Sequence, residues 1–130
     1  MKKFTLNKLE RLTSKRIFGD LVTSGQSMVI FPFRIYWERQ QSVGEYPVQI
    51  GFSVPKKKFK KATLRNLIRR RMKEAYRKNK YMLYDPVQSR NHQLSVLFIY
   101  IADEAIDYPV IEEKIIVTLE QLLSAYEESL

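Results

Sequence analysis

Thirteen of the 25 residues from Lys56 to Lys80 are Lys or Arg, and Glu74 is the only acid among them. Such a block repels itself unless a polyanion or counterions relieve it. Guanidinium groups match phosphate oxygens in two-point geometry, and ammonium groups neutralise them as point charges. The chemistry these residues are equipped for is binding a nucleic-acid backbone. A merely solubilising face would mix both signs. A membrane-surface helix would add a large apolar face that this block lacks.

The side chains offer little for catalysis. There is no cysteine, which excludes a disulfide scaffold, thiolate zinc sites and a cysteine nucleophile. His92 is the only histidine, so a mechanism built on two imidazoles is excluded. The carboxylates crowd into the last third of the chain, largely on one helical face, and show no metal-ligand spacing.

Residues 62–79 have a helical pattern. Counting 100° per residue from Leu64, the residues Leu67, Ile68, Met72, Ala75 and Tyr76 fall within about 120° of it. Arg65, Asn66, Arg69, Arg70, Lys73 and Arg77 occupy the other side, from roughly 100° to 240°. Like charges at i,i+4, as in Arg65–Arg69–Lys73–Arg77, cost an isolated helix a few tenths of a kcal/mol per pair. Asn66 is a weak helix former, but its amide can donate and accept toward a base, sugar or phosphate. Arg71 projects toward the apolar arc and has no role that the pattern assigns.

The remaining elements must carry this helix. The chain has 130 residues, 45% of them hydrophobic and 12% aromatic. That is the size and composition of one folded domain, and we read residues 1–130 as a single RNA-binding domain with no repeat or internal linker. The net charge is +9, divided as +4 over residues 1–55, +12 over 56–80 and −7 over 81–130. No apolar run is long enough to span a bilayer. The basic N-terminus is not followed by the apolar stretch of a signal peptide. The expectation is a soluble, cytoplasmic protein without membrane contact.

Thr13 or Ser14 can cap a first helix that Gly25 ends, with Ile17, Phe18, Leu21 and Val22 on one face. Met28–Phe31 and Phe33–Arg39 read as strands interrupted by Pro32. A polar loop with Gly44 leads from Gln40 to Pro47, then a strand over Val48–Val54 ends at Pro55. Tyr84–Gln93 reads as a loop. Leu94–Ile101 is nearly all apolar, as befits a central strand covered on both faces. Asp107 can cap a last helix with Pro109 in its first turn. Its apolar stripe is Ile111, Ile115, Leu119, Leu122, Leu123 and Tyr126. The order α-β-β-β-α-β-α predicts a two-layer α+β sandwich, with the basic helix in a crossover between parallel strands.

The run from Lys56 to Arg77 resembles the signature of the protein subunit of bacterial ribonuclease P. In that family a lysine pair follows a Gly-x-Ser-Val strand, then come an alanine, an Arg-Asn-Arg core and a Lys-Arg step. Here the strand is Gly51-Phe52-Ser53-Val54, the core is Arg65-Asn66 and the step is Arg69-Arg70. Arg11-Leu12, Phe18 and Gly25 resemble the family's first helix, and Phe33-Arg34-Ile35-Tyr36 its first long strand. Three features depart from the pattern: Leu67 replaces the third motif residue, the lysine-rich connection lacks a glycine and is longer, and Val22 replaces a second aromatic.

The resemblance implies a ribosomal protein S5 domain 2-like fold with a left-handed crossover, the rare exception to the usual hand. It implies the non-catalytic protein component of a ribonucleoprotein endonuclease that removes the 5′ leader of precursor tRNA. The RNA subunit would perform the hydrolysis with its Mg2+, and no protein motif would bind the metal. Lys56, Lys57, Arg65, Asn66, Arg69, Arg70 and Lys73 would then meet ribonuclease P RNA. Phe18 and Tyr36, with Arg11 and Arg34 for the backbone, would hold the single-stranded leader, since aromatic platforms stack any base. By periodicity alone Phe18 serves equally as core and Tyr36 as strand packing. No protein partner is required. Two other readings are a structured-RNA or ribosome-associated binding protein without a processing role, and a free-standing nuclease. The single histidine, the lack of cysteine and the missing metal-site cluster of carboxylates argue against the latter.

Overall fold

The computed structural model describes residues 2–40 and 45–130, so Gly44 of the expected polar loop lies outside the described residues. Strand β4 (Gln93–Tyr100) is flanked by β2 (Phe33–Gln40) on one side and β3 (Val48–Ser53) on the other. An apolar strand buried on both faces needs neighbours and cover on both, and β4 has them. β1 (Gln26–Ile30) completes the sheet, giving the order β1-β2-β4-β3. β1, β2 and β4 run antiparallel in turn, and β3 runs parallel to β4. Parallel neighbours need a crossover connection. It is made by α2 (Ala62–Asn79) and α3 (Tyr81–Ser89). The element order and the α+β class are those expected, with α3 as an addition.

The side chains of β2, β3 and β4 alternate between two faces. Phe33, Ile35, Trp37, Val48, Ile50, Leu94, Val96, Phe98 and Tyr100 form one buried face. It packs beneath α2, α3 and α4 (Tyr108–Glu128). From α2 come Ile68, Met72, Ala75 and Tyr76, all fully buried. Burying each large side chain stabilises by about 1.5–3 kcal/mol, which outweighs the few tenths lost per like-charge pair on the opposite face. The helix can therefore afford its cationic side.

The other sheet face is covered by α1 (Lys15–Ser24), where Leu12, Leu21 and Leu97 are buried with Ile17, Phe18, Tyr36 and Ile99 partly buried around them. Ser14 caps this helix, accepting from the Ile17 N–H at 3.4 Å. Val22, expected on the apolar face, is instead 49% exposed. A ten-residue helix lying on a sheet presents only a narrow stripe to it, and Leu21 fills that stripe.

Two further expectations are corrected. The segment expected as a loop from Tyr84 to Gln93 is helical through Ser89, despite Pro86. Burial of Leu83, Tyr84 and Val87 against the core overrides the local cost of an internal proline. Asn91, with φ 57°, then turns the chain into β4. Asp107 stands at the N-cap of α4 but makes no side-chain cap hydrogen bond.

The N-terminal segment is held by a buried polar cluster. Glu10 has no exposure. It accepts from the Lys80 ammonium and from the Tyr84 hydroxyl (2.6 Å), and its second oxygen accepts from the Asn7 N–H (2.9 Å). Lys80 also donates to the Thr5 carbonyl. Removing one partner of a buried ion pair typically costs about 3–5 kcal/mol, so the cluster is a firm pin. Just beyond it, Arg11 bridges to Ile50 in parallel, and the Leu12 N–H donates to the Ile50 carbonyl at 2.8 Å. Among the described residues no helix is long and apolar enough to cross a membrane.

Candidate nucleic-acid interface

The cationic arc of α2 emerges as the wheel predicts. Asn66 and Arg70 are exposed, and Arg65, Arg69 and Lys73 are half-buried. Lys56 and Lys57 stand exposed in the turn that follows β3. Among the described residues, the carboxylate pairs in this block involve only Lys58 with Asp103, Arg77 and Lys78 with Glu74, and Lys80 with Glu10. Lys56, Lys57, Arg65, Arg69, Arg70 and Lys73 are left without an acidic partner there. Their charge is available to an anion outside the chain.

Some of these groups also shape the surface. Arg65 donates one guanidinium nitrogen to the carbonyls of Phe59 (2.7 Å) and Lys60 (2.9 Å), tying the lysine-rich connection to the helix. Arg69 donates to the Asn66 side-chain oxygen at 2.6 Å, which orients both on adjacent turns. Arg71, without a role in the sequence, donates to the Ile106 carbonyl at 2.6 Å and anchors the connection before α4. Trp37 is core, 4% exposed.

At the outer edge of β3, a cavity of about 210 Å³ opens between α1, α2 and the N-terminal segment. It is lined by Arg11, Leu12, Phe18, Gly51, Phe52 and Lys73 among others. Lys73 titrates below the ordinary lysine range, through partial burial first and then repulsion from Arg11 and Arg69. The fold thus gathers two cations, Arg11 and Lys73, beside an aromatic ring, with Lys73 held at a cost that a phosphate would relieve.

Gly51 makes room for that ring. A Cβ at this position would stand 2.6 Å from the Phe18 Cε1. Glycine inside a strand is a signal of close approach, and it was the available clue to this packing. Gly51 lies level with Leu97 of β4, and Leu97 with Tyr36 of β2. Phe18, half-buried, therefore sits over a row that includes the half-buried Tyr36. Arg34 lies one step along β2 from that row, exposed and level with Ile99. The four residues assigned to leader binding thus share the α1-covered face and its edge. Those assigned to the RNA subunit lie on α2 and its approach. Lys73 joins the two groups at the cavity.

Among the described residues, no three of His, Asp or Glu converge into a metal-holding group. The imidazole of His92 is engaged with the Tyr126 hydroxyl, 2.6 Å from its Nδ1. The clamp of Glu10, Lys80 and Tyr84 had no sequence signal, because Glu10 lies 70 or more residues from both partners.

The chain resembles known proteins in sequence and in fold. The family model described as "Ribonuclease P" matches residues 6–123. A ribonuclease P protein component of Porphyromonas gingivalis is 31% identical over 109 residues, covering 84% of this chain and 80% of its own length. The ribonuclease P protein of Staphylococcus aureus superposes with a TM-score of 0.70 at 20% identity, over 87% of this chain and 94% of that one. The ribonuclease P protein of Thermotoga maritima does so with a TM-score of 0.69 at 23% identity, over 86% and 96%.

Proposed function

The chain belongs to the ribonuclease P protein family, whose general role is in tRNA 5′ processing, and on that premise we propose that it binds the catalytic RNA through α2 and the 5′ leader of precursor tRNA through the α1 cavity. The observation that carries this reading is the junction at Lys73. There the unpaired cations of α2 run into a cavity lined by Phe18 and Arg11.

A backbone phosphate at the cavity mouth neutralises the repulsion among Arg11, Arg69 and Lys73. The leader bases then meet Phe18 and, along the same face, Tyr36. Stacking contributes about 1–3 kcal/mol per base and tolerates any sequence, which suits leaders of varied composition. Lys56, Lys57, Arg65, Asn66, Arg69 and Arg70 meet the RNA subunit. The hydrolysis and its Mg2+ are assigned to that RNA, and this chain's part is to hold and align.

The test is reconstitution. The purified protein is mixed with a bacterial ribonuclease P RNA and 5′-labelled precursor tRNA at low magnesium. The reading expects leader release at the mature 5′ end that needs both components. Tight binding of the RNA without any stimulation of cleavage would overturn it.

A further inference from the structure

A second cavity lies on the other flank of α2, against α4. It has a volume of about 270 Å³ and is lined by Leu67, Arg70, Arg71, Glu74 and Tyr108. We propose that it takes one unstacked base of the RNA bound by α2; this deepens the RNA-binding reading above and rests on it.

The wall of the cavity is mainly apolar, although its rim belongs to the most cationic stretch of the chain. Leu67 stands on the wheel between the core stripe and the cationic arc, and it is half-buried. Two of the charged lining groups are already engaged. Arg71 is tied to the Ile106 carbonyl, and Glu74 is clamped by Arg77 (2.8 and 2.5 Å). Arg70 is exposed and has no carboxylate partner among the described residues. The Lys78 ammonium sits 5.5 Å from the centre of the Tyr108 ring, and the Tyr108 hydroxyl donates to Glu112 at 3.3 Å.

An apolar notch with an aromatic wall and one free guanidinium at its mouth matches a nucleotide. The base is desolvated against Leu67 and Tyr108 while Arg70 takes the adjoining phosphate. The volume falls just under the roughly 300 Å³ at which small-molecule pockets begin, which suits a single planar ring. An acidic peptide would use the rim cations but leave the apolar wall without purpose.

The experiment titrates ribonuclease P RNA with wild-type protein and with Tyr108→Ala, Tyr108→Phe, Leu67→Gln and Arg70→Ala, at several salt concentrations. Circular dichroism confirms that each variant is folded. Loss of a stacked base is a non-ionic loss. Tyr108→Ala is expected to weaken binding about 5- to 150-fold at every salt concentration with the salt slope unchanged. Leu67→Gln should do likewise in smaller measure, and Tyr108→Phe should bind as wild type. Arg70→Ala should lower the slope by about 0.7–0.9. Wild-type affinity in folded Tyr108→Ala and Leu67→Gln overturns the proposal, as does a loss that vanishes at high salt, which would mark a purely ionic partner. Failure of the wild-type protein itself to bind the RNA would remove the RNA-binding reading along with this one, so the two failures are distinct.

Discussion

The ring of Phe18 occupies the space that any side chain at position 51 would need, with a Cβ there only 2.6 Å from its Cε1. An aromatic on a short helix is thereby seated against strand β3 at the edge of a cationic cavity. The glycine of one motif thus sets the position of an aromatic 33 residues earlier in the chain.

Gly51→Val should drive Phe18 out of its seat. Overpacking of this kind costs about 1–3 kcal/mol, read as a lower midpoint in urea unfolding. The same variant should lose its preference for precursor over mature tRNA. Retention of both stability and preference would show that the Phe18 seat is not needed.

Phe18→Leu separates stacking from packing. It keeps most of the apolar contact with Leu97 and Gly51 but has no ring to stack. Precursor binding should weaken about 5- to 150-fold, corresponding to the 1–3 kcal/mol of one stacked base, while mature tRNA binding is unchanged. Equal losses on both substrates would remove the leader role.

Lys73→Met tests whether the fold carries a charge for the sake of its ligand. Lys73 is held below the ordinary lysine range by burial, Arg11 and Arg69, so it accepts a proton less readily folded than unfolded. In wild type, stability therefore rises with pH as Lys73 loses its proton, and falls again as pH drops through its depressed pKa. The variant should lack that alkaline rise, be at least as stable as wild type at neutral pH, and bind RNA more weakly. Lower stability at neutral pH with unchanged RNA affinity would contradict this.

Glu10→Gln leaves the Lys80 ammonium buried without its countercharge. A loss of about 3–5 kcal/mol is expected by denaturant unfolding. Pairing it with Lys80→Met should recover much of that loss, since the buried charge goes too. Additive losses in the double variant would mean that the two residues do not act as a pair.

Arg65→Ala and Arg70→Ala should both lower the salt slope of RNA binding, by about 0.7–0.9 each. Arg65 also ties down the carbonyls of Phe59 and Lys60, so its variant alone should loosen the connection, seen as faster amide exchange at residues 56–61. Identical exchange in both variants would deny Arg65 that second role.

Much of this was legible along the chain. The bounds of α2 followed from its periodicity, because a long helix with four buried apolar residues on one side leaves a clean 3.6-residue signal. The centrality of β4 followed from an unbroken apolar run, since only a strand covered on both faces has that composition. The identity of the cationic face needed no more than charge counting. α3 was illegible because Pro86 argues against a helix locally, and only the burial of Leu83, Tyr84 and Val87 reverses that argument. Val22 misled because helical spacing says which residues share a face, but not how wide a stripe the sheet will accept.

What the sequence determined by itself was the amphipathic basic helix, the α+β order and the concentration of positive charge in one block, all of which depend on neighbours a few residues apart. What the tertiary structure alone decided was which distant groups meet. Glu10 finds Lys80 and Tyr84, Gly51 admits Phe18, Arg71 reaches the Ile106 carbonyl, and Leu67 and Tyr108 share a cavity. Those meetings depend on how the layers pack, and the desolvation that gives them their strength exists only once the packing is complete.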